Sequence, residues 1–275
     1  MQRLYVDAIR GNDTESGLAA SRPLATIGRA LAIATTARMV LVIIEALGTF
    51  DLGEGRLHLP PGPRVVISGD GPDRTTVKSR LQNGPILWLN HNATVESLSV
   101  VGTAEKKFQF PIGDGGVSAR NVTIRKVRTV GPTDGLYFTG KESTAICEDS
   151  ILDSRWDTVF LRDGSKALLR RCELLSIGPN AINPHQHGLA QCVAGSILRL
   201  EDCVAAMRAR DHDPQRKLVG IRAAGGGKVE LAGFSLAVDV PDWQSRSDLL
   251  ADDGEIAVSG GNIDPGRCRG NLAWG

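Results

Sequence analysis

NVTIRKVRTVGPTDGLYFTGKESTAICEDSILDSRWDTVFLRDGSKALLRRCELLS, residues 121 to 176, carries one pattern three times. Four positions define it: a, a+2, a+5 and a+7. Val122, Ile124, Val127 and Thr129 fill them first, then Ala145, Cys147, Ser150 and Leu152, then Ala167, Leu169, Cys172 and Leu174. The copies start 23 and then 22 residues apart, and periods of this size mark stacked repeats. A step of two is a strand with one face inward. The step of three is a bend between two short strands.

The pattern extends both ways. Upstream it takes Ala93, Val95, Leu98 and Val100. Downstream it takes Leu198, Leu200, Cys203 and Ala205, then Val229, Leu231, Phe234 and Leu236, with a last copy at Ile256, Val258, Gly261 and Ile263. A loop and a further alternating run follow the copies: Leu136 and Phe138, Val159 and Leu161, and later Val219 and Ile221. One such coil cannot bury its inner face alone, whereas stacked coils can. The expected fold is therefore all-β: one parallel β-helix, or solenoid, over 1–275. Coils occupy 39–240, and a C-terminal loop and capping coil occupy 241–275. At the other end, Ile27, Ala30, Leu31 and Ala34 recur at helical spacing behind Thr26, a suitable N-cap. This predicts a short helix over 26–37 that plugs the stack, because open strand edges invite aggregation.

The segment LYVDAIRGNDTESGLAASRPLATIGRALAIA resembles the entry segment of pectate-lyase-like β-helix proteins, which often begin "YV…G.D…G….P..TI..A". The continuations VLVIIEALGTF and PPGPRVVISGDGPDRTTVKS resemble their first coils. The resemblance implies a right-handed helix. It bears on fold more than on activity, since one fold hosts many functions. A fainter likeness joins SRWDTVFLRDG to the "QDTLY" coil of pectin methylesterases. Trp156 stands where that family has glutamine. The following coil, read at Ile177 to Ala181, lacks the expected aspartate, so that esterase activity is not expected.

Composition narrows the classes. The net charge is +1, so no nucleic-acid or membrane partner is expected. No apolar run approaches the ~18 residues of a membrane span. The start MQRLYVDAIRGND has no signal-peptide core, which points to synthesis in the cytosol, with release or virion association as a later fate. Five cysteines, without a CxxC pair, argue against a disulfide framework. Cys147, Cys172 and Cys203 fall on inward positions as small apolar fillers. Only 4% of residues are aromatic, which is low for a sugar-binding surface.

The candidate chemistry lies at one corner. Asp134, Asp157 and Asn180 each precede a short strand, at intervals of 23, so they are expected to stack. Adjacent strands lie ~4.8 Å apart. Two carboxyls that close cannot both ionise freely, and one pKa rises. The pair thus supplies an acid and a base, with Asp134 and Asp157 as the candidate catalytic residues. A site of this kind is expected to open onto a groove with the carboxyls ~5–6 Å apart. A Ca²⁺ ion, bound through oxygen ligands, is another use of the pair; no other cofactor is expected. Asp and Asn also cap turns for purely structural reasons.

Arg155 and Arg162 are candidates to hold sugar carboxylates by paired hydrogen bonds, although surface arginines are commonly just solvated. Asn180, His185 and His187 complete the candidate substrate-binding set. His185 and His187 alternate in one segment but lack an obvious third ligand for a metal. Lys106, Lys107 and the run Asp211-His212-Asp213 are weaker candidates. Residues 101–120 read as a loose, projecting connection, as do 179–195, 208–217 and 241–254.

Two functions follow, with a plain carbohydrate-binding module without chemistry lying between them. One is a polysaccharide-binding protein that also cleaves acidic sugars as a lyase or hydrolase. The other is a non-catalytic phage virion component that uses the stack as a rigid scaffold. It would work beside virion neighbours or as a homo-oligomer, and a trimer is what the family likeness implies.

Overall fold

A computed structural model describes every residue except 104–107, 117–118, 132, 177–188, 209–217 and 240–245. Its strands form a parallel β-solenoid with three faces. The first face stacks Arg64–Gly69, Thr94–Glu96, Val122–Arg125, Thr144–Glu148, Lys166–Arg170, Ile197–Glu201 and Lys228–Ala232. The second stacks Thr75–Ser79, Ser99–Gly102, Arg128–Gly131, Ile151–Ser154, Glu173–Ser176, Val204–Met207 and Ser235–Val238. The third stacks Leu57–His58, Gly84–Trp88, Gln109–Gly113, Leu136–Thr139, Val159–Arg162, Ala190–Val193 and Leu218–Ala224.

The register follows the sequence repeat. Val122 lies over Ala145, which lies over Ala167, Leu198, Val229 and Ile256 in turn. On the second face Val100, Thr129, Leu152, Leu174, Ala205 and Leu236 form the matching column. These columns are the core, and burying one Leu or Val contributes about 1.5–3 kcal/mol. Cys147, Cys172 and Cys203 are buried among them as free thiols.

The bend between the first two faces has a fixed device. Ser97, Lys126, Asp149, Arg171, Asp202, Gly233 and Gly260 each occupy a+4, and each has φ between 50° and 66°. One left-handed residue turns the chain by a corner and keeps the side chains at a+2 and a+5 both inward. Just before it, at a+3, an outward column alternates in charge: Glu96, Arg125, Glu148, Arg170 and Glu201. Arg125 pairs with Glu96, and Arg170 Nε lies 2.6 Å from Glu201 Oε2. Opposite charges on neighbouring strands support this register.

The N-terminal end is closed as expected. The helix Ile27–Thr36 buries Ile27, Ala30, Leu31 and Ala34, and the Thr26 side chain accepts the Arg29 N–H. No helix among the described residues is long and apolar enough to cross a membrane.

Three of the expected loose connections hold regular rungs. Gln109–Gly113 is a buried third-face strand between Gly84–Trp88 and Leu136–Thr139, not part of a projecting loop. Ala190–Val193 lies inside the span 179–195 as the rung under Val159–Arg162. The span 241–254 enters the strand Arg246–Ser259, whose Leu249 and Ala251 continue the core. Polar and glycine-rich flanks disguise all three in the sequence.

Left-handed φ costs an ordinary residue roughly 1–2 kcal/mol. Lys126→Gly should therefore raise the urea unfolding midpoint. Lys126→Val, β-branched in the same conformation, should lower it, and the two variants should differ by roughly 1–2 kcal/mol.

Candidate functional site

Asp134 and Asp157 occupy neighbouring rungs where the chain enters the third face. Leu136 pairs with Val159 two residues further on, and the Gly135 N–H donates to the Asp157 carbonyl at 2.9 Å. The sequence interval of 23 thus brings them together as expected. The open groove expected around them is not there. Each residue is only 1% exposed. The Asp157 backbone N–H donates to the Asp134 carboxyl, and Gln191 Nε2 donates to Asp157 Oδ2 at 2.9 Å. Asp134 Oδ2, although buried, has no hydrogen-bond donor among the described residues.

This environment disfavours charge. Burial pushes the Asp134 carboxyl up to about 7, against the pull of the Asp157 N–H. Asp157 is raised as well, first by burial and then by the Asp134 charge, while Gln191 and the more distant Arg222 act the other way. A proton therefore stays on the pair through mildly acidic conditions.

An aromatic cluster lies beside the pair. Tyr137 and Phe160 face outward on successive rungs and stack at 5.1 Å with 4° between their planes. Phe110 stacks on the other side of Tyr137 at 4.6 Å. It folds back over Gly113, where a Cβ would come within 2.6 Å of the Phe110 ring. A stack of this kind shows solvent only its edges. Phe108 lies across those edges, near-perpendicular to Phe110 and Tyr137, and is 41% exposed. Trp156 stands 6.5 Å from Phe108, tilted by 43°. Five of the chain's few aromatic residues therefore meet at one place. Composition hid this, because the cluster draws on residues 108 to 160.

The remaining candidates divide. Arg162 Nε donates to Asp163 Oδ2 at 2.8 Å, and its guanidinium also bonds the Tyr137 hydroxyl, so it borders the cluster. Arg155 is half-buried in the turn that carries Trp156. Asn180, His185 and His187 lie outside the described residues, as do Lys106, Lys107 and Asp211 to Asp213. The described rung after Val159 begins at Ala190, 31 residues on, and not 23. The ladder's regular 23-residue step ends where a longer segment enters between the second and third faces. Gln191, absent from the sequence candidates, takes a place beside Asp157 that only this longer step reveals. Among the described residues, no group of three or more His, Cys, Asp or Glu side chains is placed to hold a metal ion.

Comparison with solved structures agrees with the fold. The chain is similar to a pectin methylesterase solved in complex with a hexasaccharide, with TM-score 0.55, 11% identity, and coverage of 100% of this chain and 88% of that one. It is also similar to pectate lyase Pel9A, with TM-score 0.46, 10% identity, and coverage of 98% and 78%. The chain has the pectate-lyase-like β-helix fold. No protein-family model and no curated protein matches the sequence.

The raised carboxyl pKa makes a stability prediction. Asp134 binds its proton more tightly folded than unfolded, so its contribution is full below about pH 4 and falls as pH rises through about 7. The wild-type urea midpoint should drop between pH 5 and pH 8. In Asp134→Asn the drop should flatten, with a difference on the order of a few kcal/mol at pH 8.

Proposed function

We propose that the chain is a polysaccharide-binding β-helix protein that acts on acidic sugars, with Asp134 and Asp157 as its acid–base and nucleophilic carboxyls. The observation that carries this reading is the exposed Phe108 ring, set with Trp156 beside a buried carboxyl pair whose Asp134 Oδ2 has no hydrogen-bond donor among the described residues. An exposed aromatic face offers an apolar surface to the C–H side of a sugar ring, and a tryptophan adds a polar handle. Arg162 and Arg155 border that surface and suit sugar carboxylates. A buried acid with an orphan oxygen is costly for stability alone, and such groups concentrate at functional sites.

In the proposed chemistry the protonated member donates to the leaving oxygen while the ionised member bonds to the anomeric carbon; water, giving its proton to the first carboxylate, then breaks that ester and frees the sugar. The rung spacing of ~4.8 Å approaches the ~5–5.5 Å carboxyl separation of retaining glycosidases. Both carboxyls are sealed in the free chain, so a substrate oxygen reaches them only when a covering side chain moves. The likeness to a methylesterase solved with a hexasaccharide supports a saccharide ligand. The reading does not rest on that protein's reaction.

The test is a panel of uronate and neutral polymers, scored for binding and for new reducing ends. Phe108→Ala should weaken binding to uronate polymers about tenfold, or about 1.4 kcal/mol. Asp157→Asn should bind as before and lose about 10²-fold or more in cleavage. Binding without cleavage in the wild type would leave a carbohydrate-binding module. Neither binding nor cleavage would favour the scaffold reading.

A further inference from the structure

The two ends of the stack are built differently. At the N-terminal end the free edge of the first strand, Gln2–Asp7, is already occupied. The Tyr5 N–H donates to the Gly17 carbonyl at 2.8 Å, the Leu24 N–H to Tyr5 at 2.8 Å, and the Asp7 N–H to Leu24 at 2.9 Å. At the C-terminal end the last strand, Cys268–Trp274, pairs with Arg246–Ser259 along one edge, and its other edge has no strand partner among the described residues. Core positions lie open there. Cys268, Leu272 and Trp274 continue the columns of Leu249, Ile256 and Val258. Those three are buried, whereas Trp274 is 48% exposed and Cys268 and Leu272 are half-exposed.

We infer that this end is the interface of a two-fold, tail-to-tail dimer. Head-to-tail stacking needs a free edge at the other end, and the 17–24 segment occupies it. The free edge of the last strand in a second copy is the matching surface, and a contact of like with like closes as a pair. The geometry allows it. The last strand turns a corner at Asn271: Cys268–Gly270 lies on the third face and Leu272–Trp274 on the first. A two-fold axis through Asn271 exchanges those faces and pairs the strands antiparallel. Arg269 then lies opposite Ala273, Gly270 opposite Leu272 and Cys268 opposite Trp274, so no like charges meet. The open apolar columns of both copies close on each other. The inference stands independently of any action on sugars, and it specifies two copies where the family likeness implies three.

Sedimentation of the full chain over a wide concentration range should give twice the chain mass, with no higher species. Trp274→Lys should give single chains with unchanged circular dichroism. As a control, Val40→Lys, at an exposed position far from this end, should leave the dimer intact. Because Trp274→Lys also touches a core column, a second variant is decisive. In Asn271→Cys with Cys268→Ser, the two symmetry-related Cα atoms face each other at about 4.5–5.5 Å, within disulfide range. Oxidised glutathione should then cross-link this variant into covalent dimers. A single chain at every concentration, a trimer, open-ended growth, or no cross-link would each overturn the inference.

Discussion

Every coil depends on the coil above and the coil below for both its hydrogen bonds and its dry face. A single coil presents three short strands whose N–H and C=O groups point along the axis, where only another coil can meet them. The columns from Val122 to Ile256 and from Val100 to Leu236 show the result. Stability in such a stack is approximately a sum of neighbour terms. A local error is therefore felt mainly by two coils, while an uncovered end is a liability for the whole.

The same constraint sets up the acid pair. Parallel strands in register place equivalent residues one rung apart, whatever their chemistry. At most corners the chain uses this to stack small or apolar groups, and on the outward first face it alternates Glu and Arg. At 134 and 157 it stacks two carboxyls and closes them in, with Gln191 satisfying one of the oxygens. Like charges at rung spacing are the arrangement a parallel stack would otherwise avoid, which is why this corner stands out from the rest of the core.

How much could be read in advance depended on the distance between partners. The a, a+2, a+5, a+7 pattern is local and periodic, and it placed the core columns and the bend between them. The Asp134–Asp157 contact was legible for the same reason, as one period separates them. Phe108 and Trp156 meet across two periods and through the back-folded Phe110, and no spacing rule announces that. Gln191 was hidden by the longer step between Val159 and Ala190. The strand Gln109–Gly113 was missed because Pro111 and the Gly115–Gly116 turn that follows mimic a loop. The burial of the carboxyl pair is a property of three dimensions only.

The one-residue bend has a further consequence for how such a chain can vary. From the Thr94–Glu96 coil onward, where the bend is present, the connection between the first and second faces keeps one length, since one added residue would flip the later side chains from inside to outside. Between the second and third faces the connection is not fixed: Gly131 to Leu136 and Ser154 to Val159 are equally short and Ser176 to Ala190 is much longer, yet the rungs stay aligned. In those coils insertions and deletions are thus channelled away from the bend into the other connections, one of which borders the aromatic cluster. New binding segments can be grafted there one coil at a time while the frame beneath keeps its pitch.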